Sequence, residues 1–259
     1  MGDVLTSIDE RGIATVTISN PDRMNAMKLR MWQLLESTMI SLSEDPQVRV
    51  IILRGAGQAA FVSGADISEF NELRATPEGV VRYDQCVEAA EAAIGACNKP
   101  VIAAISGFCY GGGLGIALSC DLRYASQDAK FCLPAGKLGL GYALEDVQRL
   151  HRVLGTATTA ELIFTAKVYS GEQAVSVGMA HACVDDVFGY ALAQAELVAG
   201  FAPLTLRSVK MALQHIDQIS HAPSTQQVRD SVSACFMSED YAEGRLAFSQ
   251  KRKPVFNGR

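Results

Sequence analysis

The chain has 259 residues, enough for one sizeable core or a core with a small appendage. Hydrophobic residues make up 49% and charged residues 20%, the balance of a globular protein, and no apolar run reaches the roughly 18 residues that span a bilayer. The net charge of −5 argues against nucleic acid as a general partner, although a basic cluster closes the chain.

Val4–Ile8 and Ile13–Ile18 alternate apolar and polar residues around Glu10–Arg11–Gly12 and predict a hairpin. After the turn Asn20–Arg23, Asn25 is placed as the N-cap of a helix from Ala26 to about Ser43, with Met27, Met31, Leu34, Leu35, Thr38 and Leu42 on one face. Val48–Leu53 reads as a buried strand and 54–64 as a loop. Gly55-Ala-Gly57-Gln-Ala-Ala60 matches the G-x-G-x-x-A spacing of a dinucleotide fingerprint, but no long helix follows it, so that reading is set aside. In Ser63-Gly-Ala-Asp-Ile67, Asp66 is placed to cap a short helix from Ile67 to Leu73.

A long helix is predicted from Pro77 to Cys97, then a strand over Val101–Ile105. Next comes Ser106–Gly107 and the triple glycine Gly111-Gly112-Gly113, which opens an apolar helix to Leu118. Bare backbone N–H groups at a helix start can hold an anion or a developing oxyanion. Glycines in such a run also let two backbones pack closely, and the segment alone leaves both uses open.

Asp121–Ala125 and Lys130–Leu133 read as short strands, Pro134–Tyr142 as a loop, and Glu145–Leu154 and Thr156–Thr165 as helices. Ser170 caps a helix to Val177, His181–Val184 is a strand, and Val187–Ala199 is helical. Only helices follow, at Leu204–Ile219, Thr225–Phe236 and Tyr241–Gln250, before Lys251-Arg-Lys-Pro254. Strands mixed with helices and then helices alone predict an α/β core with a C-terminal helical appendage. The apolar faces of the last helices have little chain left to cover them, which predicts self-association. Seven cysteines without a C-x-x-C pair, four scattered histidines and an acidic N-terminus without an apolar signal core predict a reduced, cytoplasmic protein without a zinc site.

Several segments together resemble the crotonase (enoyl-CoA hydratase/isomerase) superfamily. They are Asn25–Ala26, Phe61-Val-Ser-Gly-Ala-Asp-Ile67, Lys99-Pro-Val-Ile-Ala-Ala-Ile-Ser-Gly107 running into Gly111–Gly113, Cys120–Asp121, and Leu138–Gly139. Glu161-Leu-Ile-Phe-Thr165, Ser238-Glu-Asp-Tyr-Ala-Glu-Gly244 and Lys251–Pro254 continue the likeness in order over nearly the whole chain.

The resemblance implies an α/β spiral of β-β-α units forming two near-perpendicular sheets. Residues 1–199 would hold the thioester site, and 200–259 would be a helical region that builds homotrimers or hexamers. It implies an acyl-CoA substrate, with coenzyme A entering as part of the substrate rather than as a cofactor; that no nucleic acid, membrane or metal partner is expected follows from the charge, the short apolar runs and the scattered histidines. The thioester oxygen is expected between the backbone N–H groups of Ala65 and Gly112, two donors worth roughly 3–4 kcal/mol each toward an oxyanion. Around the coenzyme the resemblance places Arg23, Ala26, Ser63, Asp66 and Ile67. It adds Tyr110 and Pro134, with Phe248 and Lys251 reaching the adenine end, often from a neighbouring subunit. Asp66 itself reads as a helix cap more than as a reacting group, and the terminal basic residues also suit a solvated tail.

The chain departs from the family at two positions. The two glutamates with which the hydratases activate water correspond here to Gly115 and Ala135, and neither can carry a proton. Tyr142 matches a tyrosine of the methylmalonyl-CoA decarboxylase branch, which shares the Ser238–Gly244 and Lys251–Pro254 segments, although the larger residue of that branch at Ala65 is missing. Glu145 is the expected base where one is needed, its other reading being an acid favoured by a helix start. The aspartate of the dehalogenating and dienoyl-isomerising relatives corresponds to Ala143, which argues against both chemistries. The resemblance therefore leaves an enolate-stabilising acyl-CoA enzyme, a malonyl-type decarboxylase and a non-catalytic acyl-CoA binder in play.

Overall fold

The computed structural model describes residues 2–217 and 222–259, with Leu138 described for its backbone only. The N-terminal hairpin forms as β1 (Asp3–Ile8) and β2 (Ile13–Ser19), paired antiparallel with Asp3 opposite Ser19 and Ile8 opposite Ala14. Helix α1 spans Leu29–Glu44 and buries Met31, Trp32, Leu35, Met39 and Leu42. The predicted start at Ala26 is therefore corrected by three residues. Asn25 is no cap: at φ 56° it sits in the left-handed region, where a short polar side chain is tolerated. Its Oδ1 accepts from the Asn20 amide at 3.0 Å, and its Nδ2 donates to the carbonyls of Ala56 and Ala60 at 3.0 and 2.7 Å.

From β3 (Val50–Gly55) the chain repeats one pattern. A strand enters a larger sheet, a short strand enters a smaller one, and helix follows. Thus β3 is followed by β4 (Ala60–Val62), a 3₁₀ turn at Ile67–Glu69, α2 (Phe70–Leu73) and α3 (Pro77–Ala96). Next come β5 (Val101–Ile105), β6 (Phe108–Tyr110) and α4 (Gly112–Ser119), then β7 (Leu122–Ser126), β8 (Lys130–Cys132), α5 (Ala135–Leu138) and α6 (Leu144–Thr165). The core closes with β9 (Tyr169–Ser170), α7 (Gly171–Ser176) and β10 (Ala182–Val184). The larger sheet has the order β1-β2-β3-β5-β7-β10 and the smaller β4-β6-β8-β9. From β2 onward the larger sheet is parallel, with Ile51 opposite Val101 and Ile102 opposite Leu122.

Strand alternation divides the apolar residues of the larger sheet between two cores. Ile51, Leu53, Val101, Ala103 and Ile105 join the main core with α1, α3 and α4. Val50, Ile52, Ile102 and Ala104 face α8 (Val187–Ala199), which buries Val187, Ala191 and Ala195 against them. Helices α9 (Pro203–Ile216), α10 (Thr225–Met237) and α11 (Glu239–Gln250) complete the chain. The last two predicted residues of the α9 segment, Gln218 and Ile219, lie outside the described residues.

The segment 54–64, read from sequence as loop, contains β4, and 134–142 contains the single helical turn α5. The two predicted helices meet at Gly155, whose φ of 70° and ψ of 171° are non-helical, so α6 is two helical stretches joined across a kink at that glycine. Ser170 and Gln173 form a reciprocal capping box at α7. Cys97, Cys109, Cys120 and Cys132 are buried thiols. Among the described residues no single helix is long and apolar enough to cross a membrane, and no cluster of His, Cys, Asp or Glu is spaced to hold a metal ion.

Candidate active site

Two glycine-bearing turns meet where β4 and β6 end side by side. After β4, Gly64 adopts φ 113°, its carbonyl accepts from the Met27 amide at 2.8 Å, and the Met27 carbonyl accepts from the Asp66 amide at 2.8 Å. Ala65 is held between those two bonds, bridged to Met27. After β6, Gly111 adopts φ 51° and ψ −121° and its amide donates to Cys132 O at 3.0 Å, so Gly112 begins α4. The turns abut: a Cβ on Gly111 would lie 3.8 Å from the Gly64 Cα, and one on Gly64 would lie 3.4 Å from the Tyr110 carbonyl oxygen. Among the described residues, the amides of Ala65 and Gly112 donate no hydrogen bond to the chain.

Both turns line one cavity of about 210 Å³. Trp32, Phe70, Tyr83, Leu118, Leu133 and Leu150 supply an apolar wall. Trp32 Nε1 donates to Tyr83 Oη at 3.3 Å, Phe70 packs edge-on to Tyr83, and the Arg74 guanidinium lies 5.0 Å from the Tyr83 ring centre. Arg74 is also paired with Asp84 at 2.6 Å. This gives an apolar wall with charge at its rim, suited to a ligand with an apolar part and a polar end.

Of the residues expected at the site, the structure brings Ser63, Ala65, Ile67, Gly112, Pro134 and Tyr142 to this cavity, together with Gly115 and Ala135. Tyr142 is half-buried, and burial pushes its phenol up to about 12 against the opposing pull of the Ala135 backbone, so it stays a neutral donor. Glu145 does not reach this cavity. It lines a larger neighbouring one of about 670 Å³ with His151, Arg152 and Phe164. Arg23, Ala26, Asp66 and Tyr110 are not among the residues that line this cavity.

Asp66 is buried, and its Oδ1 accepts from the Ser68 amide and hydroxyl at 3.1 and 2.6 Å, which caps the 3₁₀ turn. Burial raises its carboxyl, but the Ser68 bonds and the charges of Arg23 and Lys28 hold it below the ordinary value. Phe248 is 87% exposed on α11, and Lys251 caps that helix at φ 53°. Neither lines the cavity of its own chain. Arg252 of the basic cluster is committed to Glu243 through bonds of 2.6 and 2.8 Å.

Sequence reasoning missed Glu91. Carried on α3, it is 2% exposed, lines both cavities and accepts from Arg149 Nη1 at 2.6 Å. Arg149 also donates to Asp146 at 3.1 Å, so the Glu91–Arg149 pair forms part of the partition between the two spaces. One signal was present: Glu91 lies among alanines in Ala89-Ala-Glu-Ala-Ala93, on a helix long enough to bury it.

Fold and cavity together define an α/β protein of crotonase type, built from β-β-α repeats that set two glycine turns against each other. The family model described as enoyl-CoA hydratase/isomerase matches residues 9–259. A short-chain-enoyl-CoA hydratase of Clostridium acetobutylicum is 32% identical over 246 residues, covering 94% of each chain. A peroxisomal Delta(3,5)-Delta(2,4)-dienoyl-CoA isomerase of Arabidopsis thaliana is 32% identical over 271 residues, 98% of this chain and 96% of its own. A crystal structure described as an enoyl-CoA hydratase/carnithine racemase from Magnetospirillum magneticum superposes with a TM-score of 0.91 at 37% identity, covering 98% of this chain and 97% of that one. The chain belongs to the enoyl-CoA hydratase/isomerase family and is an acyl-CoA thioester enzyme of that family.

Proposed function

We propose that this chain acts on an enoyl-type thioester of coenzyme A by stabilising an enolate at the thioester oxygen between the amides of Ala65 and Gly112. The observation that carries the reading is that Ala65 and Gly112, whose amides have no partner among the described residues, come from separate turns and line one cavity. Donors fixed before the reaction need no reorganisation as charge develops, which is worth several kcal/mol for the pair. Gly112 leaves room for the Trp32 ring, and the wall of Trp32, Phe70 and Tyr83 suits the acyl portion. Ser63, Ile67 and Pro134 line the cavity on the path assigned to the pantetheine, and Arg23, Ala26, Asp66 and Tyr110 are assigned to the same coenzyme path outside the lining. Phe248 and Lys251, outside the cavity of their own chain, suit the adenine end of a coenzyme held by a neighbouring copy. On this reading residues 200–259 form the self-association region, and the active protein is a homotrimer or a pair of trimers.

Decarboxylation of a malonyl-type thioester is the second reading, favoured by Tyr142, whose neutral phenol lies in the same cavity and could orient a leaving carboxylate. The two are separated with purified protein. Crotonyl-CoA and a 3-enoyl-CoA report hydration and double-bond migration through the conjugated thioester absorbance, and methylmalonyl-CoA reports carbon dioxide release. Turnover of an enoyl thioester supports the first reading. Carbon dioxide release abolished by Tyr142→Phe supports the second, and tight coenzyme A binding without any turnover would reject both in favour of a binder.

A further inference from the structure

We propose that Glu91 is the proton-carrying carboxylate of this site, projected from α3 into the space that a side chain at Gly115 would otherwise fill. This rests on the reading of the cavity as an acyl-CoA site. Gly112 and Gly115 are three residues apart on α4 and share a face, and both line the cavity, so side-chain positions 112 and 115 are neighbours about 5–6 Å apart. A Cβ built on Gly115 would overlap Glu91 Oε1 and lie 3.0 Å from Glu91 Cδ. Glycine at 115 and glutamate at 91 are therefore complementary: one removes a side chain and the other supplies a carboxylate to the same place from a different helix. The carboxylate is also oriented. Arg149 takes Oε2, while Oε1 is the oxygen turned toward Gly115.

The other acids lining this cavity, Asp84 paired with Arg74 at 2.6 Å and Asp146 with Arg149 at 3.1 Å, are more exposed; Glu91 shares Arg149 with Asp146 but is the buried one, and its Oε1 is turned toward Gly115. Glu88 and Glu145 line only the neighbouring space. The titratable or charged groups lining this cavity with Glu91 are Arg149 and Asp146 on α6, Tyr83 and Asp84 on α3, Arg74 beyond α2 and Tyr142 before α6, and the neighbouring space that Glu91 also lines adds Glu88, Glu145, His151, Arg152 and Asp217. Helices α1 and α4 bring Trp32, Gly112, Gly115 and Leu118, none of which titrates. Burial raises the Glu91 carboxyl to about 7, with Arg149 pulling it down and Asp146 pushing it up, so both protonation states are accessible near neutrality.

The step needs no further reactant. Glu91 Oε1 takes a proton from Cα, the C–H pair moves into the Cα–carbonyl bond, and the carbonyl pair moves onto the oxygen facing Ala65 and Gly112. The protonated carboxyl then returns the proton to Cα, or to Cγ of a 3-enoyl thioester, which completes a 1,3-shift.

The test follows Cα hydrogen exchange of butyryl-CoA in deuterium oxide by NMR, alongside binding of butyryl-CoA by calorimetry. Wild type should exchange, faster as pH rises through about 7. Glu91→Gln should bind butyryl-CoA as wild type does and exchange roughly 100-fold more slowly or less, without that pH step. The double variant E91A/G115E, which moves the carboxylate from α3 to α4, should exchange at least about tenfold faster than E91Q. If E91Q does not fold, the folded double variant decides alone, exchange supporting the proposal and its absence overturning it. Exchange by E91Q at the wild-type rate overturns the role of Glu91 while the acyl-CoA reading stands. Wild type that fails to bind butyryl-CoA overturns that reading and the proposal with it.

Discussion

Lys210 on α9 donates to Asp121 Oδ2 at 2.7 Å and to the Lys99 carbonyl at 2.9 Å, while the same Asp121 oxygen accepts from the Val101 amide at 2.7 Å. One buried ammonium thus ties the C-terminal helices to the segment entering β5 and to the start of β7, the two strands that flank β6, the triple glycine and its helix. Lys210 is 8% exposed, so these partners replace the water its ammonium gives up on burial.

Replacing Lys210 with Met should keep the apolar stem and lose two charge-assisted bonds. The expected cost is about 2 kcal/mol, since Asp121 keeps the Val101 amide and is not left bare. Urea unfolding of wild type and variant measures this. A loss under about 0.5 kcal/mol would show that α9 is held by apolar packing instead.

The value of Asp121 shows what was legible in the chain. Its position beside Cys120 was visible as a motif, and its partner 89 residues away was not. Strands and caps that depend on neighbours in sequence came through well, as in the Asp66 cap and the Ser170 box. Asn25 did not, because a capping residue type can also serve a left-handed turn, and only the carbonyls of Ala56 and Ala60 reveal which use applies. Strand β4 was hidden because three residues carry almost no period, and its pairing with β6 is non-local. The same holds at the site. The glycine turns were readable from composition, while Glu91 shares no motif with Gly115 and meets it only through the packing of α3 on α4.

Gly112 and Gly113 should fail in different ways when changed to Ala. A Cβ at 112 would sit 2.9 Å from two ring atoms of buried Trp32, which must shift, disturbing the cavity wall and the position of the amide. A Cβ at 113 would overlap the Val62 carbonyl oxygen and lie 2.9 Å from its carbon, a clash with backbone that cannot move aside cheaply. Gly112→Ala is expected to fold, to change the fluorescence of the single tryptophan, and to lose about 100-fold in kcat/KM on whichever thioester wild type turns over. Gly113→Ala is expected to lose about 2–3 kcal/mol of stability. Full activity in Gly112→Ala would remove its amide from the mechanism.

The outer faces of the C-terminal helices leave Ile216, Phe236 and Met237 exposed at 70%, 63% and 80%, a set that monomers seldom present together. Sedimentation of wild type should give the mass of three or six chains. Changing Phe236 and Met237 together to Asp should shift it toward the single chain at micromolar concentration. A wild type that sediments as a monomer would reject self-association and, with it, the supply of Phe248 and Lys251 by a neighbouring copy.

The Glu91 carboxyl also makes stability depend on pH in a definite direction. Its ordinary value is 4.5 and its folded value about 7, so between these the folded chain keeps a proton that the unfolded chain has released. The unfolded state then binds fewer protons, and stability must fall as pH rises through that window before levelling above it. A gap of about 2.5 units corresponds to roughly 3 kcal/mol. Every other carboxylate also titrates, so the informative quantity is the difference between wild type and Glu91→Gln, in which background titration cancels. Denaturant unfolding at pH 5 and pH 8 should show wild type losing about 2.5 kcal/mol relative to Glu91→Gln on going to the higher pH, the rest of the change lying below pH 5. A difference that stays flat would mean that Arg149 compensates the carboxylate fully, and that Glu91 is ionised throughout the neutral range.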